Sequence, residues 1–169
     1  MHWTRWATQT QAAYEGQAFA MVDDGKVCPC CGSLPVASVL RMGGDEGNSR
    51  YLHCALCQTE WHMVRIKCAH CESTKGIHYQ ELEAMPGAAQ PTHTVPKGAV
   101  RAECCEECGH YLKIMAMDKD PHVDPVADDL ASVALDLLVS ESGVQRYGLN
   151  YFLLWGEPDE DAPQTTGGP

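Results

Sequence analysis

Residues 50–72 read RYLHCALCQTEWHMVRIKCAHCE and hold two Cys-x-x-Cys pairs, Cys54/Cys57 and Cys68/Cys71. A tight turn with a thiol at each end can direct both sulfurs at one ion. The N–H groups of that turn can hydrogen-bond the thiolates and spread their charge. Outward from this stretch the spacing recurs on both sides. Cys28/Cys31 lie in KVCPCCGSLPV (residues 26–36), and Cys105/Cys108 lie in RAECCEECGHYLKI (residues 101–114). Four pairs supply eight thiols, enough for two tetrahedral four-sulfur sites with metal–sulfur bonds of about 2.3 Å for zinc.

One such pair is a weak signal; four in order, each bounded by strand-like runs, is a strong one. A redox dithiol is the main rival, but that chemistry usually shows one pair at the start of a helix in a βαβ pattern. A disulfide network would need an oxidising compartment. The N-terminal MHWTRWATQTQ has no apolar core and no small-residue cleavage pattern, so no signal peptide is expected. No run of about 18 apolar residues exists, so no membrane span is expected. The expected compartment is the cytoplasm, where thiols stay reduced.

Sequential pairing joins Cys28/Cys31 to Cys54/Cys57 and Cys68/Cys71 to Cys105/Cys108; a crossed brace is the alternative. Sequential pairing is favoured because each half becomes a self-contained ribbon. Units that small rarely bury enough core to fold without a metal. Gly32 and Gly109 each follow the second cysteine of a pair, where a left-handed residue lets the chain leave the turn. Gln58 and Glu72 stand at the equivalent places in the other two pairs, so those turns should be strained or different. Cys30 and Cys104 are surplus thiols. Small side chains filling turns is the plainer reading; reactive spares or exchangeable ligands is the other. His62, His70 and His110 lie near the pairs, but cages already complete in cysteine make them surface or half-buried histidines. Trp61 and Tyr51 read as core packing.

Six short segments suit strands: PVASVLRM, RYLHC, EWHMVRIKC, GIHYQELE, AVRAECC and HYLKIMAMD. A long loop is expected around residues 85–98. Residues 3–21, with Trp3, Trp6 and Tyr14, look helical. Asp124 is placed to cap a helix that begins with Pro125, carries Asp128 and Asp129 near the positive end of its dipole, and runs to about Ser140. Val126, Leu130, Val133, Leu137 and Leu138 recur at helical spacing, and the helix is expected to cover the ribbons. The fold class is therefore small α+β and metal-stabilised: two rubredoxin-like or zinc-ribbon-like four-cysteine modules of short antiparallel strands, then a C-terminal helix. The expected organisation is a helical segment at 1–25, a first ribbon at 26–66 and a second at 67–119. A helix and packing segment at 120–155 and a disordered acidic tail at 156–169 complete it.

The formal net charge is −11, of which the tail GEPDEDAPQTTGGP carries −4. Residues 28–119 hold nine Lys/Arg and ten Asp/Glu. Two divalent ions on eight thiolates would add −4 to that sum of −1. Nucleic-acid affinity comes largely from Lys and Arg. The balance therefore counts against nucleic-acid binding, the common use of zinc ribbons.

The ordered motifs CPCCGSLPVASVL, RYLHCALCQTEWHMVRIKCAHCE, RAECCEECGHYLKI, ADDLASVALDLL and NYFLL resemble the formate dehydrogenase accessory proteins of the FdhE type over about residues 27–155. The resemblance implies a non-enzymatic maturation protein of the cytoplasm that contacts the catalytic subunit of formate dehydrogenase. It implies rubredoxin-like knuckles associated with iron, zinc being the alternative, with Cys28, Cys31, Cys54, Cys57, Cys68, Cys71, Cys105 and Cys108 as ligands. Cys104 falls where the family usually has serine or threonine. Family members are longer and begin with a helical domain, so residues 1–25 correspond to its last helix at most. Two other functions remain open at this point: a rubredoxin-like electron-transfer or redox-sensing protein, and a zinc-ribbon nucleic-acid binder. The oligomeric state is not legible.

Overall fold

The computed structural model describes residues 25–43, 49–82 and 96–153, together with Gln9. The expected helix at 3–21, most of the long loop and the acidic tail lie outside the described residues. The six strand-like runs each contain a strand: β1 (Pro35–Arg41), β2 (Ser49–Cys54), β3 (Glu60–Met63), β4 (Ile77–Gln80), β5 (Val100–Cys105) and β6 (His110–Ala116). A two-residue strand β7 (Gln145–Arg146), which has no recognisable sequence signal, pairs in parallel with the start of β6. EWHMVRIKC is shorter as a strand than its apolar content suggests, because the chain turns away after Met63.

The strands form one sheet in the order β3-β2-β1-β6-β5-β4. Each ribbon is an antiparallel three-strand meander, and the two meet where β1 pairs in parallel with β6, Ser38 opposite Ile114. The join explains the sequence of β1, a nearly continuous apolar run buried from Pro35 to Leu40. Strands flanked on both sides and covered on both faces lose the apolar–polar alternation of half-buried strands. A buried ion pair reinforces the join: Arg50 Nη2 of β2 lies 2.7 Å from Glu103 Oε1 of β5. Arg50 Nη1 also donates to the carbonyl of Lys67, 2.9 Å away, tying down the segment between the ribbons.

The C-terminal helix is two segments, α1 (Pro125–Ala131) and α2 (Val133–Glu141), interrupted at Ser132. The N-cap is as expected, with the Asp124 side chain accepting from the N–H groups of Val126 and Ala127. Asp128 reaches back to the Asp124 N–H at 2.9 Å. The break has a visible cause. The buried Lys113 ammonium of β6 donates hydrogen bonds to the carbonyls of Asp129 (2.9 Å) and Ser132 (3.1 Å), and Ser132 Oγ donates to the carbonyl of Asp128. The Asp128 carbonyl also keeps its bond from the Ser132 N–H (3.1 Å), and the Ser132 carbonyl accepts from the Leu135 N–H (3.0 Å), so the two segments follow on closely with Pro125, Asp129, Ser132, Leu135 and Val139 all buried. Leu135 and Val139 enter the core with Val36, Ala102, Tyr111 and Met115, whereas Leu130, Leu137 and Leu138 are exposed. The sequence periodicity names the opposite set for α2, because it follows apolar residues alone while the buried face is carried by the polar Asp129 and Ser132 before Leu135 and Val139.

Asp129 is not a solvated dipole partner but a fully buried anion. It accepts from Lys113 Nζ at 3.1 Å, Arg146 Nη2 at 2.7 Å and Asn150 Nδ2 at 2.7 Å. Asp136 completes the cluster, accepting from Lys113 Nζ at 2.6 Å and from the Tyr111 hydroxyl at 2.8 Å. The helices are clamped to the sheet by charges as well as by apolar contact.

Candidate metal centres

The parallel β1–β6 pairing puts the starts of β1 and β6 at the same end of the sheet, and all four cysteine turns gather there. Cys28 and Cys31 precede β1; Cys54 and Cys57 lie in the turn between β2 and β3. Cys68 and Cys71 precede β4, and Cys105 and Cys108 lie in the turn between β5 and β6. Each ribbon brings its own four thiols together, with all four sulfurs within 4.8 Å of one another. This is the sequential arrangement, not the crossed brace. In the first cage Cys28 Sγ is 3.5 Å from Cys57 Sγ, and Cys31 Sγ is 3.4 Å from Cys54 Sγ. In the second, the Cys68–Cys108 and Cys71–Cys105 separations are both 3.7 Å.

The donor set fits a metal. A tetrahedral ion with sulfur ligands at about 2.3 Å has sulfur–sulfur edges of roughly 3.8 Å. The observed edges are close to that, and far from the ~2.05 Å of a disulfide. The turns also supply N–H donors. Leu56 and Cys57 N–H point at Cys54 Sγ (3.3 and 3.4 Å), and His70 and Cys71 N–H point at Cys68 Sγ (3.4 and 3.5 Å). The residue after each pair is left-handed in all four turns: Gly32 at φ +73°, Gln58 at +62°, Glu72 at +63° and Gly109 at +66°. The two non-glycine turns keep the same path and carry the strain.

As free thiols, Cys31, Cys54, Cys68 and Cys108 resist ionisation. Burial pushes Cys31 up to about 12 and also raises Cys68 and Cys108. Cys54 is raised by its hydrogen bond with Cys28 and by burial. Cys71 moves the other way: its slight burial is outweighed by hydrogen bonds from the Ser73 backbone and from the neighbouring thiols. An ion entering either cage must displace protons, so loading strengthens as pH rises.

The surplus thiols have separate fates. Successive residues on a strand face opposite sides of a sheet. Cys105 points into the second cage, and Cys104 turns into the apolar core beneath the helices, fully buried. Cys30 is half-buried and packs against the first cage. Trp61 packs on Leu52 and Met63 and donates its indole N–H to the Gly25 carbonyl at 2.7 Å, while the half-buried Tyr51 meets His62 edge-on at 5.8 Å. Sequence reasoning missed the relation between His70 and His110. They stack with ring centroids 4.1 Å apart beside the second cage, one from a cysteine turn and one from the start of β6, 40 residues apart, which no local spacing could reveal.

Comparison with known proteins agrees with this geometry. A family model described as "FdhE, central domain" matches residues 27–65, and one described as "FdhE, C-terminal domain" matches residues 66–153. A protein FdhE homolog of Cronobacter sakazakii is 45% identical over 153 residues, covering 90% of this chain and 45% of that protein. One of Edwardsiella ictaluri is 45% identical over 161 residues, covering 93% and 46%. The crystal structure of the FdhE protein from Pseudomonas aeruginosa superposes with a TM-score of 0.75 at 39% identity, over 92% of this chain and 49% of that one. The chain thus spans about half the length of the curated relatives it matches. It belongs to the FdhE family.

Proposed function

We propose that this member of the FdhE family acts in the maturation of formate dehydrogenase, holding one metal ion in each four-cysteine cage and contacting the catalytic subunit in the cytoplasm. The observation that carries the reading is the pair of complete four-thiol cages within the matched family domains. Cys28, Cys31, Cys54 and Cys57 hold the first ion, and Cys68, Cys71, Cys105 and Cys108 the second. Four protein sulfurs leave no open coordination position, whereas catalytic zinc sites usually keep one. The cages therefore act as scaffold and recognition elements, and the protein performs no catalysis of its own. Among the described residues no helix is long and apolar enough to cross a membrane. The test is a pull-down with a formate dehydrogenase catalytic subunit. Retention by the metal-loaded chain supports the reading; no retention by this chain or by a full-length relative overturns it.

The N–H···S hydrogen bonds at Cys54 and Cys68 favour a second reading, in which the ions are iron and cycle one electron. Donors aimed at thiolates tune the potential of iron–sulfur centres. Metal content and a visible spectrum of anaerobically purified protein decide it. Two irons with charge-transfer bands that bleach on reduction support iron; two zincs without colour remove the redox role.

A further inference from the structure

The helices α1 and α2 bury one side against the sheet and leave an apolar face on the other. Asp129, Ser132, Leu135 and Val139 are buried. Every exposed position from Ala127 to Leu138 is alanine or leucine: Ala127, Leu130, Ala131, Ala134, Leu137 and Leu138. Leu137 is 61% exposed and Leu138 54%. A surface helix ordinarily turns charged and polar residues outward, and a helix that is apolar all round is a covered one. At 1.5 Å per residue the outer stripe runs about 16 Å. Beside it lies a groove of about 580 Å³ between α2 and the segment around β7, lined by Val133, Asp136, Leu137, Val144, Arg146 and Leu153. A ridge of leucines next to a groove is the shape against which a second helix packs. Apolar surface of this extent, rimmed by polar residues, marks a site of protein interaction. None of the cage cysteines lines the groove, so this surface is distinct from the metal centres.

The charges decide what covers this face. From Asp120 to Gln145 the chain has six Asp/Glu and no Lys or Arg. Lys113 and Arg146 pair with Asp129 and Asp136. Asp120, Asp124 and Asp128 then stand at one end of the stripe and Glu141 at the other, with no basic side chain on either helix. A second copy of the chain would bring these carboxylates together in either orientation, Glu141 against Glu141 or against the aspartates, and like charges brought together in an interface are costly. We propose that the outer face of α1 and α2 docks an amphipathic helix of another protein, about three turns long, with leucine-like side chains for the groove and Lys or Arg at its ends for the acids. This is the helix-in-groove mode of recognition. Apolar burial supplies the affinity, and the flanking cations supply orientation and discrimination.

The face takes such a helix whichever protein supplies it, so a synthetic helix is a sufficient probe. A fluorescein-labelled Leu/Ala helix with Lys on its polar side is titrated with the metal-loaded full chain and followed by anisotropy. Two further peptides serve as controls, one with Glu in place of every Lys and one with the same residues scrambled to destroy the apolar side. The Lys helix should bind one per chain, about 10-fold or more tighter than either control. Leu137→Gln and Leu138→Gln keep the net charge, and each should weaken the Lys helix by about 10-fold, since each removes a side chain buried on docking. Ile66→Gln, at a position equally exposed but away from the helices, should leave it unchanged. Exposed substitutions of this kind leave stability within about 0.5 kcal/mol, and unchanged circular dichroism shows that the variants fold. A Lys helix that binds no tighter than the scrambled one, or is indifferent to both leucine variants, overturns the proposal. Sedimentation equilibrium of the chain alone gives the remaining outcome: a dimer that Leu137→Gln dissociates assigns the face to a second copy and overturns it as well.

Discussion

The two ribbons are built from the same plan, a cysteine turn, two strands, a second cysteine turn and a third strand, yet they sit in different surroundings. In the first cage Cys28, Cys54 and Cys57 are at most 2% exposed. In the second, Cys68 and Cys105 are buried but Cys71 is open to solvent. The third strands differ as well. β6 lies in the middle of the sheet beneath the helices, and β3 lies at its edge. Identical ligand chemistry is thus embedded in one ribbon and presented by the other. Local sequence dictates the cage, and the position of the ribbon in the sheet dictates its accessibility.

The harshest way to break the comparison is to remove one thiol from each cage. Structural zinc in small domains carries an apparent binding free energy of about 10–16 kcal/mol, comparable to the whole stability of a domain. Cys54→Ser removes a fully buried ligand at the end of β2, next to the central β1. It should lose the first ion and unfold the sheet. Cys71→Ser removes an exposed ligand, and its cage can complete itself with the serine or water. It should weaken only the second ion and leave the sheet intact. Metal content and far-ultraviolet circular dichroism read both; equal collapse of the two variants would show that exposure of Cys71 has no bearing on how tightly the cages are built in.

The equivalent positions Lys113 on β6 and His62 on β3 sharpen the contrast. Each lies five residues after the last cysteine of its ribbon. Lys113 is buried between Asp129 and Asp136, and His62 is exposed. Lys113→Ala leaves two carboxylates with Arg146 as their remaining cationic partner and frees the carbonyls at the helix break. Removing one member of a buried charge cluster costs about 3–5 kcal/mol. His62→Ala should stay within about 0.5 kcal/mol, as surface changes do. Denaturant melts of the metal-loaded protein measure both.

These residues also mark how much was legible beforehand. The cages are written in local spacing, since a turn of four residues sets where two sulfurs point, and their neighbours follow from the strand runs. The union of the ribbons into one sheet is not local: it depends on Ser38 meeting Ile114 across most of the domain. Lys113 interrupts the apolar run of β6, and only the covering helices, with Asp129 and Asp136, make it a buried clamp. The same clamp buries the polar Asp129 on the inner face of the helices, so a periodicity of apolar residues alone names Leu137 and Leu138 as core when Leu135 and Val139 occupy it. His70 and His110 went unlinked for the same reason.

A smaller effect should appear in the rates of metal loss. With Cys71 exposed, a chelator can attack the second cage without the sheet opening, while the first cage must open first. Every 1.4 kcal/mol of opening free energy is a tenfold difference. Excess chelator should remove the two ions in separate phases, at least about tenfold apart. Cys71→Ser should speed the fast phase and leave the slow one unchanged. A single phase for both ions would mean that the cages open together, through the shared sheet.

The finest distinction lies in the four turn exits. All four adopt the left-handed conformation, but Gly32 and Gly109 do so without a side chain, and Gln58 and Glu72 do so against one. Each ribbon thus has one relaxed turn and one strained turn, in opposite order. A Cβ in this region costs roughly 1 kcal/mol or slightly more. Gln58→Gly should therefore stabilise the loaded protein by about 0.5–1 kcal/mol after allowance for the extra freedom glycine has in the unfolded chain. Glu72→Gly should gain less, because it also removes the pairing of Glu72 Oε2 with Lys67 Nζ at 3.3 Å. Gly32→Ala and Gly109→Ala should each lose about 1 kcal/mol; a Cβ at either glycine meets no atom within 4 Å, so the loss would be conformational and not steric crowding. If Gln58→Gly were destabilising, the strain would have to be offset by contacts of the Gln58 side chain, and the two exits of the first ribbon would differ in kind and not in degree.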